Sequence, residues 1–352
     1  MQSPAMYLRG VRHPEAFHGA GKKNGFFEGW YVKIVSADQS QRWAVIPGIF
    51  RGLSRGDGDE AGTVAGEGSG SGSGSGSRST DVAFVQVLDG KTGRSWFHEF
   101  DVAEFAADTR SFSVRVGDNH FDAQGVTLNL PQLKGRIEYS STIDPWPVTL
   151  ASPGIMGWYG LVPFMECFHG IVSFGHGLSG HLEVEGDEVD FGNGRGYIEK
   201  DWGRGFPAGY IWMQTNHFAT APDASLIASV AIIPWLGSAF RGYIIGFKHS
   251  GKLHKWTTYN RSHEQALVID DTHVRWTVTG PDGTLEMSGE RAVGGLLHAP
   301  LRSAMHQRVE ETMLATVSVR HLDDSGAVIF DDAGTSAAME VFGDLPRLLS
   351  IK

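Results

Sequence analysis

The feature that most constrains this chain is its recurring short apolar segments, which alternate in steps of two and stop at glycine-rich turns. Trp30-Tyr31-Val32-Lys33-Ile34-Val35, Phe112–Val116, His181–Glu185, Arg275–Thr279 and Thr316–Arg320 have this period or a β-branched character. A step of two sends successive side chains to opposite faces of a strand. Asp89-Gly90, Glu185-Gly186-Asp187, Ser250-Gly251, Pro281-Asp282-Gly283 and Ser325-Gly326 supply the turns between such segments. With 352 residues, about two domain lengths, the pattern predicts an all-β molecule. A short helix is expected only over Leu301–Glu311, after Pro300, in the C-terminal third.

Domain boundaries follow from the turns. Residues 1–23 read as a polar N-terminal arm, 24–190 as one β-domain and 191–352 as a second, divided near the turn Gly192–Gly196. Inside the first domain, Arg51–Thr80 is dominated by Gly and Ser and contains the repeat Gly68–Ser77. Such a stretch cannot bury enough surface to offset its backbone entropy, which predicts a disordered loop. Trp43–Phe50 and Asp81–Leu88 flank it and are expected to pair, making it an overgrown hairpin loop. Ala224–Phe240 is the longest apolar stretch, but Ser225, Ser229, Pro234, Gly237 and Ser238 interrupt it. It predicts a buried strand followed by a turn, not a membrane span.

Charge and cysteine content exclude several classes. Thirty Lys and Arg against forty Asp and Glu leave a net charge of −10, with no basic run for a nucleic-acid backbone. The single cysteine, Cys167, forbids an intrachain disulfide and argues against a cysteine zinc site; it reads as an inert buried residue. Fifteen histidines show neither a helical His pair nor a Cys partner at ligand spacing, so no metal and no cofactor is expected. The polar start lacks the apolar core of a signal peptide, from which a cytoplasmic location is expected.

Three segments concentrate aromatic and ionisable residues. They are Gly25–Lys33; Pro153–Tyr159 with Pro163–Gly170; and Gly196–Gly203 with Gly205–Pro207 and Tyr210–Asn216. If residues 197–202 form a strand, Tyr197, Glu199 and Asp201 share a face. Tyr210, Trp212, Gln214 and Asn216 share a face of the next strand, expected to pair with the first as a hairpin across Gly203–Gly209. Two neighbouring carboxyls raise the pKa of one of them, which suits an acid held protonated near neutral pH. Structural readings stand beside this: Glu199 could pair with Lys200, or Glu28 with Lys200. The Trp-Tyr pairs at 30–31 and 158–159 read more readily as core packing than as ligand contact. His169, close to Glu166, reads either as a pocket hydrogen-bonding group or as a core histidine.

The strings Phe-Glu-Gly-Trp-Tyr at 27–31 and Glu-Lys-Asp-Trp-Gly…Phe-Pro…Trp-x-Gln-x-Asn from 199 to 216 resemble the signatures of the tocopherol cyclase family. Ala299-Pro300 and Ala337–Val341 resemble it more weakly, and Asp201 departs from the Asn of plant-type enzymes. The resemblance covers nearly the whole chain outside the Gly/Ser insertion. It implies two lipocalin-like β-barrel or sandwich domains and a cyclase, an intramolecular lyase that closes a prenylated hydroquinone or related isoprenoid by proton donation. Glu199 and Asp201 become the candidate catalytic residues, with Glu199 preferred as donor because it retains its identity in the motif. Glu28, Trp30, Tyr31, Trp158, Glu166, His169, Tyr197, Trp202, Tyr210, Trp212, Gln214 and Asn216 become candidate substrate contacts. The expected partner is a hydrophobic small molecule, and collecting it is compatible with peripheral membrane contact; oligomeric state is left open. A non-catalytic lipocalin-like carrier is the alternative, and a carbohydrate-binding module a third reading.

Overall fold

The computed structural model describes residues 10–53, 81–149, 152–300 and 304–351. The Gly68–Ser77 repeat lies outside the described residues. Its flanking strands do pair: β1 (Phe26–Val35) is followed by β2 (Arg42–Arg51) and β3 (Val82–Asp89), with Trp43 opposite Asp89 and Phe50 opposite Val82. β4 (Ser95–Phe100), β5 (Phe105–Ala107), β6 (Ser113–Val116), β7 (Asn119–Asp122), β8 (Gly125–Asn129) and β9 (Leu133–Tyr139) continue the sheet. β10 (Cys167–Val184), its short neighbour β11 (Asp187–Asp190) and β12 (Arg195–Gly203) complete it. The antiparallel order is β4-β3-β2-β1-β12-β10-β9-β8-β7-β6-β5, with β11 on β10.

A second antiparallel sheet comprises β13 (Gly209–Thr215), β14 (His217–Phe218), β15 (Ser225–Trp235), β16 (Ser238–His249) and β17 (Lys252–Thr257). It continues with β18 (His263–Ile269), β19 (His273–Gly280), β20 (Gly283–Glu290), β21 (Gly295–Pro300), β22 (Met305–Leu322) and β23 (Val328–Gly343). Its order is β17-β16-β15-β13-β23-β22-β20-β19-β18, with β14 on β23 and β21 on β22. The expected turns fall between strands. Ser250 and Gly251, at φ 52° and 72°, join β16 to β17, as a two-residue hairpin loop with two positive φ angles should. A short helix, α1 (Leu345–Ser350), is capped by Asp344, whose Oδ1 accepts from the Arg347 amide at 3.1 Å. The all-β expectation therefore holds. Among the described residues no helix is long and apolar enough to cross a membrane.

Three local expectations change. Arg195–Gly203, expected to open the second half, lies between β1 and β10, so the sheet boundary falls after Gly203. Consequently β12 and β13 are not a hairpin: β12 belongs to the first sheet and β13 pairs with β15 and β23 in the second. The helix expected over Leu301–Glu311 is also not formed. Leu301–Ser303 lie outside the described residues, and from Met305 the chain is β22. There Val309, Glu311, Met313, Ala315 and Val317 are all buried, and pairing with β21 and β23 outweighs local helical character.

Each sheet curls around its own apolar core, and a third core lies between them. Alternation makes this possible. On β1, Trp30, Val32 and Ile34 enter the first core, while Tyr31 enters the shared one. On β13, Ile211 and Met213 enter the second core, while Tyr210 and Trp212 enter the shared one. These central strands are thus buried on both faces, which is why they read as near-continuous apolar runs.

Candidate functional site

The shared core is not filled. A cavity of about 200 Å³ lies between the sheets, lined by aliphatic and aromatic side chains that include Ile46, Phe84, Tyr159, Phe206, Ile233 and Phe240. Five carboxylates also line it: Glu166 just before β10, and a group of four, Glu199 and Asp201 from β12, Glu311 from β22 and Glu340 from β23. Strand register gathers them. Tyr31 stands opposite Glu199 on neighbouring strands, and His169 opposite Asp201. In the second sheet, Trp212 stands opposite Glu340 and Glu340 opposite Glu311. Packing the sheets face to face brings the two rows into one polar cluster.

Hydrogen bonds then cross the interface in both directions. Trp212 Nε1 donates to Glu199 Oε2 at 3.1 Å, and the Tyr31 hydroxyl donates to Glu311 Oε1. Tyr197 donates to Glu199 Oε2 at 2.5 Å, and Tyr210 to Glu340 Oε2 at 2.5 Å. His169 pairs with Asp201 through Nδ1 at 2.9 Å and holds Nε2 at 3.6 Å from Glu199. Glu311 Oε2 is buried with no hydrogen-bond partner among the described residues. Behind this cluster Lys33 Nζ donates to Gln214 Oε1 at 2.8 Å and to the Ser336 carbonyl at 2.6 Å.

Burial sets the protonation states. Removing a carboxylate from water disfavours its charge, and neighbouring carboxylates add to that. Burial lifts Glu199 to about 7, with the His169 charge opposing and Asp201 reinforcing the shift. Burial likewise lifts Glu340 to about 8 and Glu311 well above the ordinary carboxyl range, where Glu340 is its strongest like-charged neighbour. His169 moves the other way. Burial alone would lower it, but Asp201 and then Glu199 outweigh burial and carry it to about 9. Near neutral pH these raised carboxyls are therefore shifted toward the proton-bearing form, Glu199 near its midpoint, beside an imidazolium paired to Asp201. Ligand atoms of His169, Glu199 and Asp201 lie within 4.8 Å of one another, but they are already engaged with each other and with Tyr197 and Trp212.

Of the residues singled out from sequence, Tyr31, Glu166, His169, Glu199, Asp201, Tyr210 and Trp212 line the cavity. Tyr197, Gln214 and Asn216 do not. Tyr197 supports Glu199 from behind, Gln214 holds Lys33, and Asn216 Nδ2 donates to the Gly196 carbonyl at 3.0 Å. Trp158 is exposed and stacks on Tyr159, which does line the cavity. Glu28, Trp30 and Trp202 face the N-terminal arm. Glu28 is fully buried against Lys200 and His18, the Trp30 indole donates to the Glu15 carbonyl at 3.0 Å, and Trp202 stacks on His18. Cys167 reaches the cavity wall, and burial pushes its thiol well up, away from the reactive thiolate.

Glu311 and Glu340 were assigned no role from sequence. The signal for Glu311 is a carboxyl set within the apolar alternation Val309, Met313, Ala315, which a helical reading of that stretch conceals. Glu340 stood inside the weaker C-terminal match, between Met339 and Val341.

The chain is 24% identical to a probable chloroplastic tocopherol cyclase of Oryza sativa subsp. japonica, over 97% of this chain and 80% of that protein. It is also 24% identical to the chloroplastic tocopherol cyclase of Zea mays, again over 97% of this chain and 80% of that protein. Among solved structures, CghA with Sch210972 shares the fold at a TM-score of 0.52 and 11% identity, covering 91% of this chain and 89% of that one. The profile described as tocopherol cyclase-like matches residues 24–343, a span that includes both sheets and every carboxyl of the cavity, so the chain belongs to the tocopherol cyclase-like family.

Proposed function

We propose that this protein is a cyclase that closes a prenylated hydroquinone, or a related isoprenoid, by proton donation from Glu199. The observation that carries this reading is a buried carboxyl lifted to about 7, facing an apolar aromatic cavity. In the reaction the Glu199 O–H bond breaks as the alkene π pair forms a new C–H bond, leaving a tertiary cation. A lone pair of the phenolic oxygen forms the C–O bond to that cation. The phenolic proton then passes to the Glu199 carboxylate, so the acid is regenerated and the product is an isomer of the substrate. Tyr197 and Trp212 stabilise the transient carboxylate with their hydrogen bonds, and the faces of Tyr31 and Trp212 stabilise developing positive charge. Glu311, which burial and the neighbouring Glu340 push toward its protonated form, offers a donor to a substrate oxygen.

Substrate of this class is membrane-soluble, and the surface beside the cavity suits its collection. Trp158, Leu161, Phe164 and Leu236 are 45%, 45%, 47% and 80% exposed. Trp158 and Phe164 both pack on Trp235, next to the cavity residue Pro234.

The test is turnover of a prenylated hydroquinone by three folded proteins. Glu199→Gln keeps volume but removes the transferable proton, and kcat should fall by roughly 10²–10⁴. Asp201→Asn should cost far less. Collapse of turnover in Asp201→Asn with Glu199→Gln intact moves the donor to Asp201. Unimpaired turnover in both removes the carboxyl mechanism, and binding without turnover in the wild type points to a carrier.

A further inference from the structure

The second sheet carries a cluster of histidines that the cavity does not use. His249 ends β16, His254 lies in β17 and His321 lies near the end of β22. All three are buried, and one ring nitrogen from each lies within 4.8 Å of the others. None lines the cavity. We propose that His249, His254 and His321 bind a single zinc-class divalent ion that ties the β16–β17 hairpin to β22 and to the β19–β20 turn.

The ring positions support this on three grounds. First, His249 Nε2 lies 2.9 Å from His321 Nδ1, so two imidazole nitrogens already point into one space. Second, the far nitrogen of His321 is committed: Nε2 donates to the Asp282 carbonyl at 2.6 Å, which leaves Nδ1 as the lone-pair nitrogen. Metal-binding histidines are held in this way, by a carbonyl or carboxylate on the nitrogen that does not face the ion. Asp282 serves His254 too, its Oδ1 lying 3.6 Å from Nδ1, while Lys252 Nζ at 3.1 Å and the Lys255 amide at 2.9 Å fix the carboxylate. Third, a hydrogen bond between His249 and His321 satisfies only those two rings. His254 takes no part in that bond: its Nδ1 is turned to Asp282, and its ring lies on His249 with centroids 4.6 Å apart. A cation uses all three rings at once.

Chemistry favours the same ligand. Three neutral imidazoles suit zinc and its first-row neighbours better than magnesium or calcium, which prefer oxygen. The ligands converge from three strands, which explains why a search for helical or cysteine spacings passes over them.

The test uses the full chain, purified without a polyhistidine tag and stripped with a chelator. Zn(II) is titrated against a colorimetric competitor, Co(II) is followed by its visible absorption, and thermal unfolding is recorded with and without zinc. The expected result is one ion per chain, a Co(II) band of tetrahedral intensity and a higher Tm with zinc. His254→Ala should weaken binding by about 100-fold or more, and Asp282→Asn by about 10–100-fold as an orienting partner. His169→Ala should leave binding intact. Absence of stoichiometric binding in the wild type overturns the proposal without any variant, and so does an ion lost with His169→Ala but kept in His254→Ala.

Discussion

Glu199 shows how position, more than residue type, makes a proton donor. On a surface the same side chain would be ionised at neutral pH; on β12 it is enclosed by Tyr197, Trp212 and His169 and lifted to about 7. The acid form is the active one, so the rate should be flat below about pH 7 and fall as pH rises above it, which a pH–rate profile of kcat checks. The cluster also has a stability signature. Glu311 and Glu340 have folded pKa values above those of the unfolded chain, so both bind protons more tightly when folded. Their contribution is fully present below about pH 4.5 and is lost as pH rises, for Glu340 through about 8. Glu340→Gln should therefore raise Tm by a few degrees at pH 8.5 relative to wild type and leave it nearly unchanged at pH 5. Differential scanning fluorimetry at the two pH values decides. Of these acids, sequence alone marked Glu199 and Asp201, because they share a strand face with Tyr197; the pairing that adds Glu311 and Glu340 is a cross-strand contact no local pattern encodes.

At the scale of elements, β1 and β12 are bolted to the N-terminal arm through a fully buried ion pair. Glu28 and Lys200 meet with no exposed side-chain surface, and Lys200 also donates to the Ala16 carbonyl and sits 4.4 Å above the Trp30 ring. His18 adds its backbone amide to Glu28 at 2.9 Å. Removing one partner leaves a buried charge, so Lys200→Met should cost about 3–5 kcal/mol, and adding Glu28→Met should recover much of it. Urea unfolding of wild type, single and double variants measures both. The pairing of Glu28 with Lys200 was one of the structural alternatives open in the sequence. Strands and turns were legible because period-2 patterning and Gly-centred turns are local. The β12–β13 pairing and the Leu301–Glu311 helix failed for the opposite reason: both were decided by partners far along the chain, β1, β10, β21 and β23.

The whole molecule is two curled sheets whose shared core remains open and carries acids from both sides. Neither sheet alone forms the site, since Glu199 depends on Trp212 and Glu311 on Tyr31 across the interface. The exposed aromatic patch beside the cavity leads to an expectation for lipid contact. Co-sedimentation with neutral phosphatidylcholine vesicles should fall by several-fold in a Trp158→Ser, Leu236→Ser double variant, with unchanged Tm. That the two halves enclose a ligand space could not be read from either half's own pattern, because the cavity exists only where the two buried faces meet. The central claim, that the protein protonates a carbon of its substrate, is tested most directly by running the reaction in D₂O with a prenylated hydroquinone and analysing the product by mass spectrometry and NMR. The expected result is a cyclised product carrying one non-exchangeable deuterium on the former alkene carbon, formed far more slowly by Glu199→Gln; a cyclised product without carbon-bound deuterium would contradict carbon protonation.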